Sequence, residues 1–338
     1  MINVAHFPYQ SHFLIFGGFE VQMLSAIDAV NSSYSNKINN IKSNPWQIDL
    51  DFDIAHFWGH GFTNFDNIIW AKNKRKKIVM SVLIPFHNGY KDTIKNWISS
   101  KIGAIRFFNQ MHDKVDIFTV VSEEQKYSLH KLYNVSFDKI AVVPNIINNV
   151  FFETANRDIT NNYHLPKNYI ISVGNICERK NQLNTAIAAL ELNVNAVFVG
   201  EIINDGSKTS KDFLRLLEIN KKSLFHINKL VPNSLDLVSL IKNSEGFVLP
   251  SHNETQPISL LEASALNKPI VTSNRPFGHQ YPFNKSILVE PKSVESIKSG
   301  IMKMLKTTNN KIINSINLEE FKELNVASKY LQVYKNLK

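Results

Sequence analysis

The chain has 338 residues, 43% of them hydrophobic and 20% charged, the balance of a soluble globular protein long enough for two separate cores. Its single cysteine, Cys177, excludes a disulfide framework, and no apolar run approaches the ~20 residues that span a bilayer. The formal charge of +9 is shared by both halves; nucleic acid, anionic lipid and anionic substrate would each suit it, so charge alone selects no partner.

Short apolar runs alternate with longer amphipathic stretches, the pattern of repeated βα units. In the first half, strands are predicted at Ile2–Phe7, Ile54–Phe57, Ile78–Leu83, Ile117–Val121 and Ile140–Val143. The start, Met1-Ile2-Asn3-Val4, lacks the basic and apolar stretches of a signal peptide, so a cytoplasmic location is the expectation. Gly17-Gly18 follows the first strand and opens a helical pattern, where a bare backbone can approach a phosphate or a sugar. The spacing is not G-x-G-x-x-G, so NAD is not indicated, and a plain strand-to-helix turn is the competing reading. Asn31–Asn44 is polar and reads as a long loop.

From Tyr90 to Met111, Ile94, Trp97, Ile98, Ile102, Ile105 and Phe108 fall at helical spacing, with Lys91, Lys95, Lys101 and Arg106 around them. The favoured reading is a covering helix packed on the sheet. The other is an interfacial helix at an anionic membrane, helped by the basic run Lys72–Lys77.

Asn-rich sequence between Pro144 and Pro166 breaks the periodicity and marks a domain boundary. Beyond it, strands are predicted at Tyr169–Val173, Ala196–Val199, Leu224–Ile227, Gly246–Leu249, Pro269–Thr272 and Ser286–Val289. Two such sets in succession imply two Rossmann-like domains. The first strand of the second set ends at Gly174, and Asn175-Ile176-Cys177-Glu178-Arg179-Lys180-Asn181 leads into a helix. Cations at the C-terminal edge of a sheet neutralise charge developing on a leaving diphosphate, although isolated Arg-Lys pairs are usually solvated surface charges.

Phe247 to Glu262 is the most informative stretch. A buried strand ends at Pro250, a polar turn carries His252 and Glu254, and Pro257 suits the first turn of a helix that continues through Glu262. Two carboxylates eight positions apart are thereby divided between a strand-end loop and a helix start, where a parallel sheet binds ligands and free N–H groups face anions. The last stretch, Leu318–Leu337, is helical in pattern. No histidine and carboxylate spacing suggests a metal site, and Asp49-Leu50-Asp51-Phe52-Asp53 reads as a loop before a strand.

Gly17-Gly18, Gly174 to Asn181 and Glu254…Glu262, in that order, resemble the GT-B glycosyltransferases, specifically the retaining family 4 group. Val121-Ser122-Glu123, Val142-Val143-Pro144-Asn145, Val199-Gly200-Glu201, Leu249-Pro250-Ser251 and Leu261-Glu262-Ala263 support the likeness over nearly the whole chain. It implies an α/β chain of two Rossmann-like domains with an interdomain cleft and a C-terminal crossing helix. Residues 1–150 would bind the acceptor, 151–318 the nucleotide sugar, and 319–338 would pack back towards the first domain.

The resemblance implies transfer of a hexosyl group (EC 2.4), with retention, from a nucleotide-diphosphate sugar to a glycan or lipid-linked acceptor. The pathway would be cell-surface polysaccharide or lipopolysaccharide synthesis, in the cytoplasm or peripheral to the inner membrane face, with neither metal nor cofactor nor nucleic acid. Lys180 would contact the diphosphate, Glu254 the donor-sugar hydroxyls and Glu262 the ribose hydroxyls. Backbone around Gln256, Pro257 and Ile258 would face the phosphates, although Pro257 has no N–H. Gly17 and Gly18 would lie near the diphosphate and the acceptor, with Gly174 and His252 beside the donor. Departures from the family pattern are Asn175, where Arg is usual and for which Arg179 would substitute, and Ile146, where Gly is usual. The acceptor-side histidine would be His87; His56 also lies at a strand end facing the presumed cleft, but a lone histidine beside Phe57 and Trp58 is more often packed than an acid or base. A sugar-nucleotide epimerase on the same fold and a catalytically silent sugar-nucleotide-binding subunit are the alternatives.

Overall fold

A computed structural model describes the chain except residues 13, 15, 45, 48, 85, 87–109, 154–158, 204, 205, 229 and 310–315, and omits the side chains of 62 and 307–309. It divides into two compact units, Met1–Ile146 with Glu319–Lys338, and Ile147–Leu318. His87 and nearly all of the Tyr90–Met111 stretch lie outside the described residues.

The first unit holds β1 (Ile2–Phe7), α1 (Gly18–Tyr34), β2 (Ile38–Lys42), β3 (Ile54–Trp58), α2 (Phe65–Asn73), β4 (Lys77–Ser81), β5 (Ile117–Val120), α3 (Glu123–Tyr133) and β6 (Ile140–Val142). Its six strands are all parallel in the order β2-β1-β3-β4-β5-β6. The second unit holds β7 (Ile170–Val173), α4 (Gln182–Glu191), β8 (Ala196–Val199), α5 (Lys208–Ile219), β9 (Leu224–Ile227), α6 (Leu235–Asn243), β10 (Gly246–Leu249), α7 (Ile258–Ala265), β11 (Ile270–Ser273), β12 (Ile287–Val289) and α8 (Val294–Asn309). Its parallel order is β12-β11-β10-β7-β8-β9. The last helix, α9 (Glu323–Lys335), belongs to the first unit and packs on α1.

Each sheet reverses direction once. The chain runs outward from β1 to β2 and returns to β3 on the other side; it runs from β7 through β8 and β9 and returns to β10. At such a reversal the two neighbouring loops part at the C-terminal edge and leave a crevice, the usual ligand position in open α/β sheets.

Strand alternation sets the cores. In β3, Ile54 and Trp58 face the α1 and α9 side with Val4, Ile27 and Tyr330, while Ala55 and Phe57 join Met80, Phe118 and Leu129 on the other. In the second unit Ile170, Phe198, Val248 and Val271 pack against alanines of α4 and Ile297, Ile301 and Met304 of α8.

One expected loop is a strand: within Asn31–Asn44, residues up to Tyr34 finish α1 and Ile38–Lys42 form the edge strand β2. Only Ile38 of β2 is buried, so the apolar signal is weak, and its asparagines serve as partners. Asn40 Oδ1 lies 2.9 Å from His6 Nε2, and Asn39 Nδ2 donates to Asn3 Oδ1 at 3.0 Å. Polar side chains on an edge strand also oppose pairing with another chain.

Candidate active site

The reversal between β7 and β10 gathers most of the sequence-predicted donor residues. Gly174 leaves β7 with φ +134°, and a Cβ there would lie 3.2 Å from both Cε and Nζ of Lys180. Gly200, after β8, has φ +142°, and its Cβ would meet the Gly174 carbonyl oxygen at 2.4 Å. Both positions combine a left-handed backbone with lack of room. Gly200→Ala is therefore expected to destabilise the protein by about 2 kcal/mol or more, read as a shifted urea midpoint.

Residues Glu178–Lys180 form one 3-10 turn that ends at Asn181 in the left-handed conformation, φ 63°. Asparagine tolerates this conformation and, unlike glycine, brings an amide. The buried Asn181 Nδ2 donates to the carbonyls of Pro250 (2.9 Å) and Pro291 (2.7 Å), tying the β7 loop to those after β10 and β12. Gln182 Nε2 donates to the carbonyls of Gly174 (3.3 Å) and Asn175 (3.1 Å), while its Oε1 accepts from the Cys177 N–H at 3.3 Å. Asn175 thus contributes backbone to a fixed loop. Neither Asn181 nor Gln182 stands out in the sequence as a site residue, because their partners are set by the fold.

The turn presents both cations to Glu254. Lys180 Nζ is 2.9 Å and Arg179 Nη1 2.7 Å from Glu254 Oε1, and Ser251 Oγ donates to the same oxygen at 3.1 Å. No hydrogen bond among the described residues reaches Oε2. Burial pushes the Glu254 carboxyl upward, but Lys180, Arg179 and the hydrogen bonds from Lys180 and Ser251 together outweigh it and lower its pKa. Arg179 Nη1 also donates to the Asn253 carbonyl at 3.0 Å, and the His252 N–H donates to the Arg179 carbonyl at 2.8 Å. The Arg179 side chain is 51% exposed and that of Lys180 only 12%, so Lys180 is the cation least screened by water.

Pro257 is the N-cap of α7 and not part of its first turn; Ile258 is the first helical residue. Its carbonyl accepts the N–H groups of Leu260 (3.1 Å) and Leu261 (3.3 Å). No side chain caps this end, so the first N–H groups of the helix carry unneutralised positive potential. Gln256 is buried just before it. Glu262, one turn into α7, is 5% exposed with no side-chain hydrogen bond among the described residues. Burial raises its pKa to about 7, against a smaller opposing pull from Lys180.

The remaining candidates are His252, Gly17, Gly18 and His56. His252 is held in the loop by its N–H bond to Arg179, and its pKa is lowered, first by burial and then by Arg275. Gly17 and Gly18 lie in the first unit. The Gly17 N–H donates to Glu20 Oε2 at 2.8 Å, and a Cβ on Gly18 would meet nothing within 4 Å, so packing does not explain that glycine. His56 is fully buried, bonded through Nδ1 to Tyr334 Oη and through Nε2 to Ser81 Oγ, both at 2.8 Å. It is a packed core histidine held neutral by burial and by neighbouring His6.

Among the described residues no group of three His, Cys, Asp or Glu side chains could hold a metal ion, and no helix is long and apolar enough to cross a membrane.

Residues 156–317 match the family described as glycosyl transferases group 1, and residues 32–149 match glycosyltransferase family 4. A curated relative, the UDP-Gal:alpha-D-GlcNAc-diphosphoundecaprenol alpha-1,3-galactosyltransferase of Escherichia coli, is 28% identical over 221 residues. The match covers 58% of this chain and about half, 55%, of that protein. Among solved structures, Anabaena HepE in complex with UDP and glucose aligns with a TM-score of 0.74 at 12% identity, over 99% of this chain and all of the other. The UDP-GlcNAc 2-epimerase of Methanocaldococcus jannaschii aligns at 0.62 and 14% identity, over 99% and 100%. These structural likenesses show the fold, two Rossmann-like α/β units of GT-B type.

Proposed function

Because the chain belongs to the group 1 and family 4 type of glycosyltransferases, we propose that it moves a hexosyl group from a nucleotide-diphosphate sugar to a hydroxyl of a glycan or lipid-linked acceptor, with retention of configuration. The observation that carries this reading is the convergence of Lys180, Arg179 and Ser251 on one oxygen of Glu254, beside the free start of α7.

The donor's anomeric C–O bond breaks, leaving positive charge on the sugar and negative charge on the diphosphate. Lys180, Arg179 and the N–H groups opening α7 stabilise the second. Glu254 Oε2 accepts hydroxyls of the donor sugar, and the buried Glu262 accepts those of the ribose. The acceptor hydroxyl forms the new bond on the face the diphosphate leaves, and its proton passes to the departing phosphate oxygen, so no protein nucleophile is required. The named relative supports a UDP-sugar donor and a lipid-linked acceptor. A role in cell-surface glycan synthesis at the inner membrane face follows from that acceptor class, as does peripheral membrane contact.

The test is a thermal-shift screen against UDP-, GDP- and ADP-sugars, followed by product analysis with acceptor present. A ligand of the folded state at about 100 times its Kd adds roughly 2.7 kcal/mol, so the matching nucleotide is expected to stand out as a raised Tm. No shift with any of the three would sink the proposal. Epimerised donor without a transferred product would replace it with the epimerase reading.

A further inference from the structure

The proposed donor residues lie at the reversal between β7 and β10; the first unit has the same reversal between β1 and β3. The loop after β1 carries Tyr9, and the loop after β3 is Gly59-His60-Gly61. The tyrosine ring rests on those glycines. A Cβ at Gly61 would fall 1.8 Å from Tyr9 Cε2, and one at Gly59, where φ is +91°, would fall 3.0 Å from Tyr9 Cβ.

The seat is pinned from both sides. Thr63 Oγ1 donates to the Tyr9 carbonyl at 2.6 Å, Asn64 Nδ2 donates to the Gly59 carbonyl at 3.1 Å, and the Gly59 N–H donates to the Ser81 carbonyl at 2.8 Å. Tyr9 nevertheless remains 40% exposed. Single exposed aromatics are ordinary on a surface. Here, however, two positions without side chains and two side-chain hydrogen bonds fix an aromatic ring that folding leaves partly in water.

We propose that Tyr9 is the platform on which the acceptor's sugar ring lies, a proposal that rests on the glycosyltransferase reading. A pyranose has an apolar C–H face and a rim of hydroxyls. A tyrosine held by one side offers matching aromatic surface with a polar tip. The position at the strand reversal, in the loop that leads from β1 to Gly17 and Gly18, is where a parallel sheet takes its ligand.

Saturation-transfer NMR on the full chain, with and without UDP, tests this against methyl glycosides of glucose, galactose, mannose and N-acetylglucosamine. At least one glycoside is expected to receive saturation on its ring C–H protons from the wild type and from Tyr9→Phe. Tyr9→Ala and Gly61→Ala are expected to reduce it roughly five-fold or more, while UDP binding by calorimetry stays unchanged. In spectra of ring-labelled tyrosine, the resonance absent from Tyr9→Phe is expected to shift on glycoside addition, a readout that needs no destabilising variant. A wild type that saturates no glycoside, or a tyrosine resonance that does not move, overturns the platform. Failure to bind UDP with the glycoside response intact overturns the donor reading instead.

Discussion

Lys180→Ala is expected to lower kcat for sugar transfer by about 10²–10³-fold, the cost of removing one preorganised donor to a developing anion. The ammonium is little exposed, at 12%, and Gly174 leaves it room where any other residue would place a Cβ 3.2 Å away. Its charge therefore acts through protein more than through water. The fold is expected to survive the change, because Glu254 keeps Arg179 and Ser251 as partners on the same oxygen. A stability loss of about 1–3 kcal/mol is the expected scale for one charge-assisted hydrogen bond. Arg179→Ala is the control. That side chain is 51% exposed, water replaces much of its effect, and less than about a ten-fold loss is expected. Steady-state release of nucleotide diphosphate, with the donor found by thermal shift, checks both. A Lys180→Ala enzyme with full turnover would remove Lys180 from the chemistry.

The contrast between these two neighbouring cations shows where sequence reasoning stops. Their place after β7, and that of Glu254 after β10, are legible because apolar runs, glycines and prolines mark strand ends locally. Which cation is buried is not, because it depends on Gly174 and Gly200 packing backbone to backbone across adjacent strands. The same limit hides Asn181, whose two carbonyl partners lie 69 and 110 residues away. It also hides the bond between His56 and Tyr334, 278 residues apart, which draws the last helix into the first unit's core. β2 escapes for the opposite reason: its pairing is with a neighbour, but an edge strand with one buried residue carries almost no apolar periodicity. Pro257 shifts by one position, since proline's fixed φ serves an N-cap as readily as the first helical residue.

Glu262→Gln is expected to stabilise the unliganded protein at pH 8 and to weaken donor binding at the same pH. The side chain is 5% exposed, without a hydrogen-bonding partner among the described residues, and its pKa is raised to about 7 from an ordinary 4.5. A carboxyl whose folded pKa lies above its unfolded value favours folding while it is neutral. That advantage is complete below about pH 4.5, declines as pH rises towards 7, and is gone above it. At pH 8 the folded state therefore carries a buried charge worth on the order of 3 kcal/mol of lost stability, a scale set by one pKa unit being about 1.4 kcal/mol. Glutamine is neutral throughout, so its advantage should be largest at pH 8, fall to about a quarter of that at pH 5 and vanish below about pH 4, read as the difference in urea midpoints. Ribose hydroxyls reverse the balance, because they donate to the ionised carboxylate. Donor affinity in the wild type is thus expected to rise with pH through about 7 and to be flat in Glu262→Gln. A variant that gains stability equally at pH 5 and 8 would show that Glu262 titrates normally. One that gains stability as expected yet binds the donor unchanged would take the ribose away from this residue.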